Sequence, residues 1–205
     1  MKLEDSNTVM KLDDLDTGDM ILFNGNYFVS NIVEYITGSI FSHVGVIIKN
    51  PIFFDKKLDG LYLLESGYED QNDVENERHK LGVQLTDFTK LYNTYDGKIF
   101  VRKLECNRDK EFYEKIDQIH SDVHNVPYDI NIIDWFKAGL NIDIGDIQKR
   151  NMYWCSALTC YIYVKLGFLD KDIPWTLIKP QDLSSTSNNL YFTNCVMCDD
   201  KLINN

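Results

Sequence analysis

The stretch Ser42-His43-Val44-Gly45-Val46-Ile47-Ile48-Lys49, closed by Asn50-Pro51, decides how the rest of the chain is read. Its β-branched run predicts a strand, with a histidine at its mouth. Working outward, Gly18-Asp19 opens a second apolar run, Met20-Ile21-Leu22-Phe23, which Asn24-Gly25-Asn26 ends as a turn would. Leu61-Tyr62-Leu63-Leu64-Glu65 reads as a third strand, Gly82–Leu85 as a short one, and Ile99–Leu104 as an alternating one. Phe112, Ile116, Ile119 and Val123 recur at helical spacing and predict a helix over 109–125. Leu158, Ile162 and Leu166, stopped by Gly167, predict another over 155–166. Shorter helices are expected over 28–37 and 132–140. Strands first and a helix late describe an α+β fold built on an antiparallel sheet.

The chain has 205 residues, 21 basic and 32 acidic, for a net charge of −11. Hydrophobic residues make up 44% and aromatics 13%, enough for a core, so wholesale disorder is excluded. This length fits one domain over 1–205, with a catalytic core at about 16–184, a loose arm at 1–15 and a tail at 185–205. No basic stripe exists to meet phosphates, so no nucleic-acid partner is expected. No run reaches the roughly 18 apolar residues of a membrane span, and the polar, acidic beginning does not read as a signal peptide. Cysteines 106, 155, 160, 195 and 198 are odd in number, and the expectation is reduced thiols in a cytoplasmic, reducing compartment.

Three residues could do chemistry together. Cys155 lies at the predicted helix start, where unpaired N–H groups favour a thiolate. His43 could take up the thiol proton and later release it to a leaving group. Glu65 ends an apolar strand, where a carboxylate is out of place unless it serves a partner, and orienting an imidazole is such a service. Taken singly, each has a plainer reading: a small buried thiol, a strand-edge histidine and an exposed strand end. Alternation puts Glu65 on the face of Leu61 and Leu63, and His43 on the face of Gly45 and Ile47. The three can meet only if those two faces are the same. His120 and His124 stand one helical turn apart without the rest of a metalloprotease motif, and read as a solvated face. His79 falls in the polar 67–80 segment, which reads as a surface loop. Cys195-x-x-Cys198 is half of a zinc motif with no second half, so no metal and no cofactor is expected.

An ordered set of motifs carries a resemblance. Gly18-Asp19-Met20-Ile21-Leu22-Phe23 comes first, then Thr37-Gly38-Ser39, Ser42–Val46 and Leu64-Glu65. Pro127-Tyr128-Asp129, Tyr153-Trp154-Cys155-Ser156 and Pro180-Gln181-Asp182-Leu183 follow. The set resembles the circularly permuted papain-like hydrolases of the NlpC superfamily, of the YiiX/YaeF type, a group with relatives in large DNA viruses. The resemblance implies a small antiparallel barrel or sheet packed on a cysteine-bearing helix. It also implies Cys155 as nucleophile, His43 as base and Glu65 as the group orienting His43, with no cofactor. Segments 67–80 and 130–150 would then be insertions or lids. One departure stands out: members often carry an acidic residue two positions after the cysteine, where this chain has Ala157. The implied activity is hydrolysis of an amide, ester or thioester, on a peptide-type amide or a lipid acyl substrate, in host cytoplasm or virion if the protein is viral. The alternatives are a thiol acyltransferase resembling lecithin:retinol acyltransferase, a non-catalytic binding or virion protein keeping the fold, and a CxxC metal or redox module.

Overall fold

The computed structural model describes residues 10–25, 40–51, 57–68, 71–124 and 155–204. Its strands are β1 (Met20–Gly25), β2 (His43–Lys49), β3 (Leu61–Tyr68), β4 (Leu81–Asp87), β5 (Gly97–Arg102), β6 (Leu104–Glu105), β7 (Val196–Met197) and β8 (Lys201–Leu202). Its α-helices are α1 (Phe88–Thr94), α2 (Lys110–Val123) and α3 (Cys155–Leu166). The main sheet runs β4-β3-β2-β1-β5-β8, and each of its neighbouring pairs is antiparallel. β6 and β7 form a separate antiparallel pair. The fold is thus α+β on an antiparallel sheet. Of the two forms expected, barrel or sheet, the described strands make an open sheet, because β4 and β8 do not pair with each other.

The sheet is apolar on both faces. Met20, Leu22, Val44, Val46, Ile48, Leu64 and Leu85 pack with Phe112 and Ile116 of α2 and with Leu158 and Ile162 of α3. Ile21, Phe23, Ile47, Leu63, Ile99 and Val101 pack with Phe88 and Leu91 of α1, Leu15 and Ile203. Cover on both sides is why β1 and β2 read as unbroken apolar runs. α2 shows the expected single stripe, begun by Asp109, whose carboxylate accepts from Phe112 N at 3.1 Å. α3 is different: every residue from Cys155 to Tyr163 is buried, as fits a helix that is apolar all round.

The Gly18-Asp19 motif is a structural corner. Asp19 is fully buried, accepts from Asp16 N at 2.7 Å and from Leu104 N at 2.9 Å, and pairs with Lys103. Gly18 N donates to Ile47 O and Ile47 N donates to Asp19 O, both at 2.8 Å, so the corner also seats β2. A side chain at Gly18 would have its Cβ 2.6 Å from Leu104 Cδ2, on a backbone of φ +94°.

Three expectations need correction. α1 was missed: it has seven residues and two buried positions, too few for a periodicity, and its cue was the N-cap Asp87, which accepts from Lys90 N at 3.0 Å. Within the expected loose arm, Leu15 is wholly buried and Met10 and Leu12 pack against the core, while Lys11, Asp13 and Asp14 are exposed. The tail from 185 is part of the sheet, since β8 extends β5 and Ile203 N donates to Ile99 O at 2.9 Å. The helices expected over 28–37 and 132–140 lie outside the described residues.

Candidate active site

β2 and β3 pair with Gly45 opposite Glu65. The faces of His43 and Glu65 are therefore one face, as the site requires. Gly45 lets the strands close tightly there, since a Cβ would stand 2.9 Å from Leu63 Cγ and 3.1 Å from Leu64 O. From this diagonal, Glu65 Oε2 accepts from His43 Nε2 at 2.6 Å. The other oxygen, Oε1, accepts from the Thr86 hydroxyl at 2.5 Å. Glu65 is fully buried and His43 is 4% exposed, so this carboxylate is held from both sides in a dry setting. Phe23 flanks the imidazole, ring centroids 5.6 Å apart.

Cys155 is the first residue of α3 and His43 the first of β2. α3 packs on the Val44–Val46 face, whereas His43 alternates to the other face, so the two side chains meet at the sheet's end. There Cys155 is the neighbour that most favours the charged imidazole. Burial disfavours a charged imidazole, but the Cys155 sulfur, by charge and hydrogen bond, and then Glu65 outweigh it. His43 is held well above its ordinary value of 6.5. The start of α3 is fixed from below, since the Ser156 hydroxyl donates to Ile178 O at 2.6 Å. The Pro180–Leu183 turn that follows is capped by Asp182, which accepts from Lys179 N at 2.9 Å. Ala157 is buried.

The raised His43 value has a stability consequence. Its contribution is complete below the unfolded value of about 6.5 and is lost as pH rises through the higher folded value. The stability difference between wild type and His43→Asn, from urea midpoints, is expected to be constant at mildly acidic pH and to shrink as pH rises. A difference that grows with pH would contradict the charged imidazole.

The remaining thiols offer a contrast. Burial pushes Cys106, Cys160 and Cys198 up, and Cys195 up to about 11. All five cysteines are free. Among the described residues, no grouping of three ligand atoms close enough for an ion includes Cys195 or Cys198. His79 is exposed. His120 and His124 are not a solvated face: His120 is 8% exposed, and both rings contact Glu75. The loop between β3 and β4 folds over α2, a long-range contact that helical spacing could not reveal.

Sequence reasoning missed Thr86 and Gln84. Both sit on β4 facing Glu65's side of the sheet, with Gln84 directly opposite Glu65. Gln84 is 1% exposed, and neither of its amide atoms has a hydrogen-bond partner among the described residues. The alternation Val83-Gln84-Leu85-Thr86 was the available signal, but it gains meaning only once β4 is known to pair with β3.

No family model matches the chain, and no curated protein matches it. Among the described residues, no helix is long and apolar enough to cross a membrane. Among solved structures, the chain is similar to the metalloprotein YiiX from Escherichia coli O157:H7, DUF1105, at 19% identity. The match covers 89% of this chain and 88% of that one, with a TM-score of 0.48.

Proposed function

We propose that the chain is a cysteine hydrolase of the permuted papain-like kind, cleaving an amide, ester or thioester through an acyl-enzyme on Cys155. The observation that carries this reading is the buried imidazole of His43, bonded to Glu65 at 2.6 Å, with Cys155 the neighbour that most favours its charged form. In the proposed cycle the thiol proton moves to His43 and the sulfur attacks the acyl carbon. The Cys155 backbone N–H, which has no intrahelical partner as the first of α3, receives the developing oxyanion. His43 protonates the leaving amine, alcohol or thiol as its bond to the acyl carbon breaks. It then takes a proton from water, whose hydroxide displaces the Cys155 thiolate and yields the acid. Glu65 holds the ring and favours its charged form. A peptide-type amide or a lipid acyl group is the proposed substrate class, in a reducing compartment that keeps the thiol free.

The test is a panel of chromogenic peptidyl amides, fatty acyl esters and acyl thioesters, read by product release and by intact mass. The expected result is an acyl adduct on Cys155 that water clears. No adduct and no turnover with any donor class would overturn the reading. An adduct cleared by added amine or alcohol in preference to water would make the protein a thiol acyltransferase instead.

A further inference from the structure

We propose that Glu75, His120 and His124 form a binding site for a zinc-class divalent cation, separate from the residues of the Cys155 site. α2 presents His120 and His124 one turn apart, with ring centroids 5.0 Å from each other. The loop between β3 and β4 lays Glu75 across them. Glu75 Oε2 lies 2.9 Å from His120 Nε2 and 3.2 Å from His124 Nδ1. All three ligand atoms lie within 4.8 Å of one another.

These spacings suit an ion. Zinc bound at about 2.0–2.1 Å in tetrahedral geometry places its ligand atoms about 3.3 Å apart. Both carboxylate–imidazole separations fall just short of that, and the two imidazole nitrogens lie within 4.8 Å of each other, so an ion is reached by small side-chain adjustments. Two imidazoles and one carboxylate suit Zn²⁺ and its neighbours Co²⁺, Ni²⁺ and Cu²⁺, whereas Mg²⁺ and Ca²⁺ favour all-oxygen sets. Three protein ligands leave a fourth position for water.

The carboxylate is also presented rigidly. Asp73, two residues before Glu75, is fully buried. Its side chain accepts from Leu85 N at 2.9 Å and from the Asn76 amide at 2.6 Å, and pairs with Lys80 at 2.9 Å. Asp73 N donates to Arg78 O, Glu77 N to Asp73 O, and Val74 N to Leu85 O. This knot fixes the loop on β4 with Glu75 already over α2, so little ordering remains to be done when an ion arrives. The occupied site would staple the β3–β4 connection to α2. Without an ion, the same contacts form a hydrogen-bonded histidine–glutamate cluster, and the experiment must separate the two.

The full chain, stripped with chelator and reduced, is titrated with Zn²⁺ by calorimetry and with Co²⁺ by absorption. The expected result is one saturable equivalent, a rise in melting temperature, and a cobalt spectrum without thiolate-to-metal charge transfer. His124→Gln and Glu75→Gln are expected to abolish that equivalent while keeping the wild-type far-ultraviolet circular dichroism. The Cys195→Ser/Cys198→Ser double variant is expected to keep it. A thiolate charge-transfer band, showing binding at Cys155 or at the CxxC pair, would overturn the proposal. So would an isotherm unchanged in the folded Glu75→Gln and His124→Gln variants, or no saturable binding in wild type.

Discussion

Cys155→Ala is expected to abolish turnover, and His43→Ala to slow it by about 10²–10⁴-fold, the range for losing a positioned acid–base group. Glu65→Gln is expected to cost less than His43→Ala, because the amide can still bond the ring and loses only the charge. The same hierarchy can be read without a substrate, by alkylation of each cysteine at mildly acidic pH followed by peptide mass spectrometry. Ordinary thiols, with values of about 8.5, are almost wholly protonated there and react slowly. Burial holds Cys106, Cys160, Cys195 and Cys198 further still from the thiolate. Among the five thiols Cys155 alone neighbours an imidazole whose value is held well above its ordinary one. Cys155 is therefore expected to label far ahead of the other four, and to lose that lead in His43→Ala. Cys155 is only 4% exposed, so a small reagent such as iodoacetamide is the right probe. Labelling of Cys155 no faster than Cys106 in the native protein, with both labelled after unfolding, would leave a fold without a working nucleophile. The binding-protein reading would then lead.

What the sequence made legible follows from how far each signal reaches. β2 and α3 were readable because local composition carries them: a β-branched run in one, a run of apolar residues with a glycine stop in the other. His43, Glu65 and Cys155 were readable as candidates for a related reason, each being a polar or reactive group bordering an apolar run. Alternation even posed the correct question, whether Glu65 and His43 share a face, and the Gly45–Glu65 register answers it. The support behind Glu65 was not readable. Thr86 reaches it only because β4 pairs with β3, and a chain pass assigns no partner to a strand as short as Gly82–Leu85. Glu75 was hidden in the same way: its loop looked like a solvated charge run, yet Asp73 folds it inward and onto α2. β8 is two residues long, below any pattern threshold, and is recognisable only by the strand it extends. Asp19 shows a further limit. The sequence offers it as part of a motif, with nothing to say whether its carboxylate serves the reaction or the fold.

The structure answers for the fold, and the consequence is large. Asp19→Ala removes an acceptor from the main-chain N–H groups of Asp16 and Leu104, and strips Lys103 of its buried partner. Arg108, 3.6 Å from the same carboxylate, loses it as well. Breaking a buried charged pair while leaving donors unmatched costs about 3–5 kcal/mol, and urea unfolding at neutral pH is expected to read that loss. Asp19→Asn keeps one acceptor oxygen and is expected to fall between the two. The corner reaches the active site through main chain. Gly18 and Asp19 exchange hydrogen bonds with Ile47 of β2, and the Tyr163 hydroxyl of α3 donates to Gly18 O at 2.8 Å. β2 carries His43 and α3 carries Cys155, so one corner holds both halves of the proposed pair in register. Asp19→Ala is therefore expected to slow Cys155 alkylation as well as lower stability, even where the protein remains folded. Tyr163→Phe removes only the hydroxyl, and is expected to change alkylation much less. If Asp19→Ala costs under about 1 kcal/mol, the carboxylate is not the clasp its hydrogen bonds describe. If stability falls but Cys155 keeps its full reactivity, the helix and strand are held together by packing alone, and the corner serves the fold without serving the site.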